Sequence, residues 1–170
     1  MGQLSLLKPQ PTGLSPVDEF GVNEAMELPG RIMALDVGDA RTGVAITDPS
    51  QTIVSPHAVV AQPSRDKAIA QILEMVAALE PILIVSGLPL LENGDEGPQA
   101  HRVRNFMALL AERTEVPVVF EDERYSTLAA DDVFHARGGK GRKRKDVIDK
   151  IAAAQILSSY LQRREVGARP

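Results

Sequence analysis

Acids end two of the apolar runs in this chain. Ile32-Met33-Ala34-Leu35 reads as the inside of a strand, yet it runs straight into Asp36. Near the other end, Glu121-Asp122-Glu123 close a second run, "PVVFEDE". Asp149 stands in "KDVIDKIAAAQILSSYL", where helical spacing aligns it with Ala153, Ile156 and Tyr160. A lone carboxylate among apolar neighbours is costly to bury and needs donors, a cation or a metal. Three brought together repel unless cations neutralise them. Oxygen-only ligands suit Mg2+ or Mn2+. Two such ions about 4 Å apart clamp the attacking and leaving oxygens of a phosphoryl displacement. Metal-assisted cleavage of a phosphodiester is the chemistry these positions would support. The plainer alternatives are a solvated turn at 121–123 with Arg124 as counter-ion, and Asp146 and Asp149 as helix-start acids favoured by the dipole.

A phosphate backbone would need cations outside the acidic cluster. Arg137, Lys140, Arg142, Lys143, Arg144 and Lys145 supply them within one short stretch, interleaved with Gly138, Gly139 and Gly141. A basic loop beside the acidic helix start reads as a phosphate clamp, which Arg102 and Arg104 could extend. The formal net charge of −4 argues only weakly against nucleic acid, because local clustering matters more than the sum. Two Tyr, four Phe and no Trp indicate no stacking platform for single strands. Recognition should therefore run through the backbone and favour shape over sequence. His101 reads as a surface histidine rather than a proton shuttle, and His57 and His135 receive no role.

The absence of cysteine excludes disulfides, a thiolate nucleophile and thiolate metal sites. No apolar run approaches the length of a membrane span, and the N-terminus lacks a signal pattern, so a cytoplasmic protein is expected.

The elements that must position these groups can be read from periodicity. Residues 1–29 have no sustained period and read as a flexible extension; residues 30–170 form one domain. Strands are expected at Ile32–Val37, Arg41–Thr47 and, more weakly, Thr52–Val60. Ser64 should cap a helix with Ile69, Ile72, Leu73, Val76 and Leu79 on one face. A buried strand, Ile82–Val85, should stop at Gly87 and Pro89. Val103, Phe106, Met107 and Leu110 mark a second helix, and Pro117 opens an edge strand. A third helix is expected over "STLAADDVFHA", then the basic loop 137–145, then a last helix from about Asp146 to Arg163. This order predicts an α/β fold: a mixed five-stranded sheet, antiparallel among its first strands and parallel after, with helices on both faces.

Four blocks, "GRIMALDVGDARTGVAITDP", "ILIVSGLPLLENGDEGPQAHRVRNF", "VPVVFEDERYST" and "RKRKDVIDKIAAAQILSSYL", resemble the signature blocks of the YqgF family over residues 30–163. That family comprises pre-16S ribosomal RNA nucleases similar to Holliday-junction resolvases. The resemblance implies a ribonuclease-H-like fold and a nuclease using Mg2+ or Mn2+. It places catalytic acids at Asp36, Asp122, Glu123 and Asp149, with Asp36, Glu123 and Asp149 as the ligand set. Strand alternation groups Asp122 with Phe120 and Glu123 with Val119, but does not say which pair faces inward. After "DVG" the family usually carries a small or hydroxyl residue and then a basic one. Here Asp39-Ala40 intervene before Arg41, and Asp39 is read as a turn residue rather than an addition to the metal site.

The implied function is an endonuclease on structured nucleic acid, trimming the 5′ end of the pre-16S RNA. The alternative is a resolvase of four-way DNA junctions, whose symmetric cutting would require a homodimer. A non-catalytic nucleic-acid-binding relative is disfavoured by the complete set of acids. A nucleotide-binding protein of the actin and sugar-kinase type would need a second copy of the "D-x-G" hairpin and a longer chain.

Overall fold

The computed structural model describes residues 29–125 and 142–167. The elements follow as β1 (Ile32–Val37), β2 (Arg41–Thr47), β3 (Val54–Ala61), α1 (Arg65–Leu79), β4 (Leu83–Leu88), α2 (Pro98–Ala111), β5 (Val118–Asp122), a 3-10 turn (Glu123–Tyr125) and α3 (Arg142–Gly167). The helix expected over "STLAADDVFHA" and most of the extension fall outside the described residues.

The strands form a mixed sheet in the order β3-β2-β1-β4-β5. β1 runs antiparallel to β2 and parallel to β4; β2 pairs antiparallel with β3, and β4 parallel with β5. Short connections make the hairpins, whereas the parallel pairs require the α1 and α2 crossovers. Asp48 closes the β2–β3 turn by accepting from the backbone N–H groups of Thr52 and Ile53 at 2.9 and 2.7 Å. Its carboxyl is held down at about 2, chiefly by the Ser50 hydroxyl and then by those amides.

Period-two alternation sends each central strand to two cores. Met33, Leu35, Ile84 and Leu88 pack under α1 and α2 with Ile69, Ile72, Val76, Val103, Phe106 and Met107. Ile32, Ala34, Ala45, Leu83 and Val85 pack under α3 with Ala153, Ile156, Leu157 and Tyr160. Small residues, Ala34, Ala45, Gly43 and Gly87, interrupt that face, so α3 comes close there. A Cβ on Gly43 would run into the Asp149 carbonyl group, with the carbonyl carbon at 2.6 Å. Ser64 caps α1 as expected, its hydroxyl accepting from Lys67 N–H at 3.3 Å. Among the described residues no helix is long and apolar enough to cross a membrane.

Three expectations need correction. β4 does not stop at Gly87; it runs through to Leu88, because Gly87 and Leu88 still pair with Glu121 and Asp122 of β5, and Gly87 is glycine because the Glu123 side chain sits over it. α3 begins at Arg142 rather than near Asp146, so the later part of the basic stretch is helical, not loop. Arg and Lys are good helix formers, and the run of them extends the helix back to the last glycine. Asp146 therefore lies inside the helix and is not its N-cap.

Candidate active site

Asp36 sits near the C-terminal end of β1, on the face that looks towards α3. Its register partner is Gly43 of β2, which offers no side chain to compete for space. The backbone of Asp149 rests on that same glycine. The first strand and the last helix thus bring two acids together through one residue that has no Cβ. The carboxyl of Asp36 is pushed up to about 6, first by burial and then by the negative charge of Asp149.

The third acid comes from the end of β5. Val119 packs with the α3 core and Phe120 with the α1–α2 core, which orients the alternation that the sequence left open. Glu123 turns to the α3 face at the start of the 3-10 turn. A Cβ on Gly87 would collide with Glu123 Oε1, and would come within 2.6 Å of Ile156 Cδ1. Burial, and then the charges of Asp36 and Asp122, push the Glu123 carboxyl up to about 7. Asp122 faces differently. Its carboxylate takes the Arg124 guanidinium at 2.7 to 3.1 Å and the Arg124 N–H at 3.0 Å. Those bonds hold it below the usual carboxylate range. The third acid of the run, Glu121, is buried and paired with Arg163 of α3. Burial still leaves its carboxyl raised.

Asp36, Glu123 and Asp149 therefore share one side of the sheet, at the carboxyl ends of the parallel strands, where open α/β sheets bind ligands. In chemistry they fit a hard divalent ion: oxygen donors only, two of them disfavoured as anions where they stand, and cradled by two glycines. In spacing, no three Asp, Glu or His side chains among the described residues close to a metal-holding cluster. Arg41 Nε donates to Asp149 Oδ2 at 2.7 Å, so this acid is engaged elsewhere.

The basic residues divide. Arg137 and Lys140 lie outside the described residues. Arg142, Lys143, Arg144 and Lys145 form the first turn of α3, immediately before Asp146 and Asp149, with Lys145 exposed. Arg102 pairs with Asp39 at 3.1 Å, both well exposed, so Asp39 belongs to a surface contact and not to the acidic row. Arg104 is a structural cation. It grips Glu96 with Nε at 2.6 and 2.7 Å and lies 4.6 Å over the Phe120 ring. It joins the β4–α2 loop to the edge strand and does not extend a phosphate clamp. His101 Nδ1 lies 3.0 Å from the Gly97 carbonyl on an exposed part of α2. The sequence points to no site role for Arg41 or Gly43, and marks Gly87 only as a strand stop. The available signal was the small-residue face of β2, with Gly43 and Ala45 alternating after Arg41.

Comparison with known proteins adds the family. The model described as "RuvX: Holliday junction resolvase" matches residues 30–163. The chain belongs to the RuvX family. The resemblance to YqgF proteins drawn from the four blocks stands over the same stretch. A relative from Roseiflexus sp. (strain RS-1), named "Putative pre-16S rRNA nuclease", is 40% identical over 133 residues, covering 78% of this chain and 94% of its own. One of the same name from Streptomyces coelicolor is 43% identical over 144 residues, covering 83% and 85%. Among solved structures, T. thermophilus RuvC in complex with a Holliday junction substrate superposes with a TM-score of 0.50 at 14% identity, over 78% of this chain and 95% of that one. This RuvX chain accordingly has the ribonuclease-H-like fold of the RuvC resolvases.

Proposed function

We propose that this nuclease is a metal-dependent endonuclease of structured nucleic acid and that its substrate is the 5′ end of pre-16S ribosomal RNA. The observation that carries the reading is the set of carboxylates facing α3, two of which are poor anions until a cation arrives. Asp36, Glu123 and Asp149 would hold the ions. Mg2+ or Mn2+ bound there supplies Lewis acidity to the scissile phosphate and a lowered pKa to the attacking water.

The chain's own residues divide the remaining work. Asp36 is mounted on a central strand paired on both sides and gives a rigid reference point. Glu123, at the start of a turn, retains a proton near neutral pH and yields it when positive charge approaches. Asp149 rides on α3, whose basic first turn would draw in the phosphate backbone. Asp122, bound by Arg124, would order the turn that presents Glu123. The relatives' names support the RNA substrate, and the reading assigns the protein to the cytoplasm with that RNA.

Cleavage of a precursor RNA and of a synthetic four-way DNA junction, each with Mg2+, Mn2+ or EDTA, tests it. The expected result is metal-dependent cutting of the RNA, abolished by Asp36→Asn in a protein that still folds. An amide oxygen is a weaker ligand for a hard cation than a carboxylate. Wild-type cutting by the variant, or cutting in EDTA, defeats the metal reading. Paired symmetric cuts in the junction, with the RNA left intact, would instead make the protein a resolvase.

A further inference from the structure

Arg41 stands at the head of β2, on the face shared by Gly43 and Ala45, which is the face covered by α3. Its side chain is three-quarters covered, and Nε donates to Asp149 Oδ2 at 2.7 Å. The backbone of Asp149 is meanwhile seated on Gly43, opposite Asp36. Arg41, Asp149, Asp36 and Glu123 thus form a row on one side of the sheet, one cation beside three carboxyl groups. Asp149 is the carboxylate that the guanidinium has taken, and the acids do not close into a metal-holding group as they stand.

We propose that Arg41 is an exchangeable counter-ion, a positioning residue that holds Asp149 in the metal-free protein and gives it up to the incoming divalent ion. This inference rests on the metal reading above. Carboxylate oxygens shared with a guanidinium are less available to a metal, so Arg41 must weaken metal binding in proportion to the strength of its bond to Asp149. The exchange also has a product. Once displaced, the guanidinium is a planar, permanently charged donor at the edge of the acidic row, suited to bidentate contact with the non-bridging oxygens of a bound phosphodiester. The site would then change its preference as it fills, offering Arg41 to a carboxylate when empty and to a phosphate when loaded.

The test uses Mn2+ alone, without substrate. Binding is measured by electron paramagnetic resonance on the full chain, for wild type, Arg41→Gln, Arg41→Lys and Asp36→Asn. Arg41→Gln should bind Mn2+ about tenfold more tightly than wild type, a difference of about 1.4 kcal/mol. Arg41→Lys, which keeps the charge without the Nε geometry, should fall between. In wild type, the side-chain Nε–H of Arg41 should give a slowly exchanging NMR signal that disappears on titration with diamagnetic Mg2+. That measurement holds even if a variant fails to fold. If Mn2+ binds wild type but not Asp36→Asn, and Arg41→Gln binds it equally or more weakly, the exchange is overturned and the metal site stands. A Nε–H signal unchanged at saturating Mg2+ has the same consequence. No Mn2+ binding to wild type overturns both the exchange and the metal reading.

Discussion

Asp36 is comfortable as an anion only when positive charge comes to it, and this makes it a reporter of the site. In the folded protein its carboxyl lies at about 6, against about 3.9 in an unfolded chain. Because the folded value is the higher one, the native state binds the extra proton between the two. Stability conferred by that proton is fully present at low pH and is lost as pH rises from about 4 to about 6. In EDTA, Asp36→Asn should therefore be more stable than wild type at pH 7, with no such gain at pH 4. At about 1.4 kcal/mol per pH unit, the gain is roughly 3 kcal/mol at most, on the order of 5–10 °C in Tm. Saturating Mg2+ should erase or reverse it. Thermal unfolding at both pH values, with and without Mg2+, reads this directly; equal Tm differences at pH 4 and pH 7 would contradict the burial of the charge. The chain announced the acid plainly, since a carboxylate ending an apolar strand is hard to overlook. It concealed Arg41, because an arginine at a strand end is ordinary until the partner that reaches it across the fold is known.

At the scale of elements, the site depends on how closely α3 lies against the sheet. Two glycines permit that approach, and Gly87 has the side chain of Glu123 above it together with Ile156. Gly87→Ala should expel Glu123 from its place and push on α3. Overpacking of this kind costs about 1–3 kcal/mol, so the variant should fold with a lowered Tm. Its Mn2+ affinity should fall by an order of magnitude or more. Unaltered metal binding would mean that Glu123 does not need its cradle. Periodicity made the strands and helices legible: the apolar spacing of α1 and α2 matches what is buried. Gly87 reads as a stop because a glycine in a strand is locally a stop signal, whereas its reason here is a tertiary contact. The start of α3 is obscured because interleaved glycines and cations look like a loop, although the cations after the last glycine favour helix. The choice between Asp122 and Glu123 needed the location of α3. Alternation fixes which residues share a face, and only the covering helix says which face matters.

For the molecule as a whole, α3 carries both Asp149 and, one to two turns before it, the cations Arg142 to Lys145, in a chain whose net charge is −4. Affinity for a polyanion must then come from local cations and should fall steeply with salt. Reversing Lys143 and Arg144 to Glu should reduce the slope of log affinity against log salt by about 0.7–0.9 for each phosphate that is no longer neutralised. Filter binding of precursor RNA across a salt series measures it, and an unchanged slope would remove the basic stretch from the interface. The strand at the far side of the sheet bears on association with other chains. β3 is an edge and carries Pro56 near its start, next to an irregularity in its pairing with β2. A proline is tolerated there because the outer side of an edge strand needs no donor. The same missing N–H leaves a gap for any foreign strand that tries to zip alongside. Among the described residues this flank is therefore a poor template for continuing the sheet into a second copy.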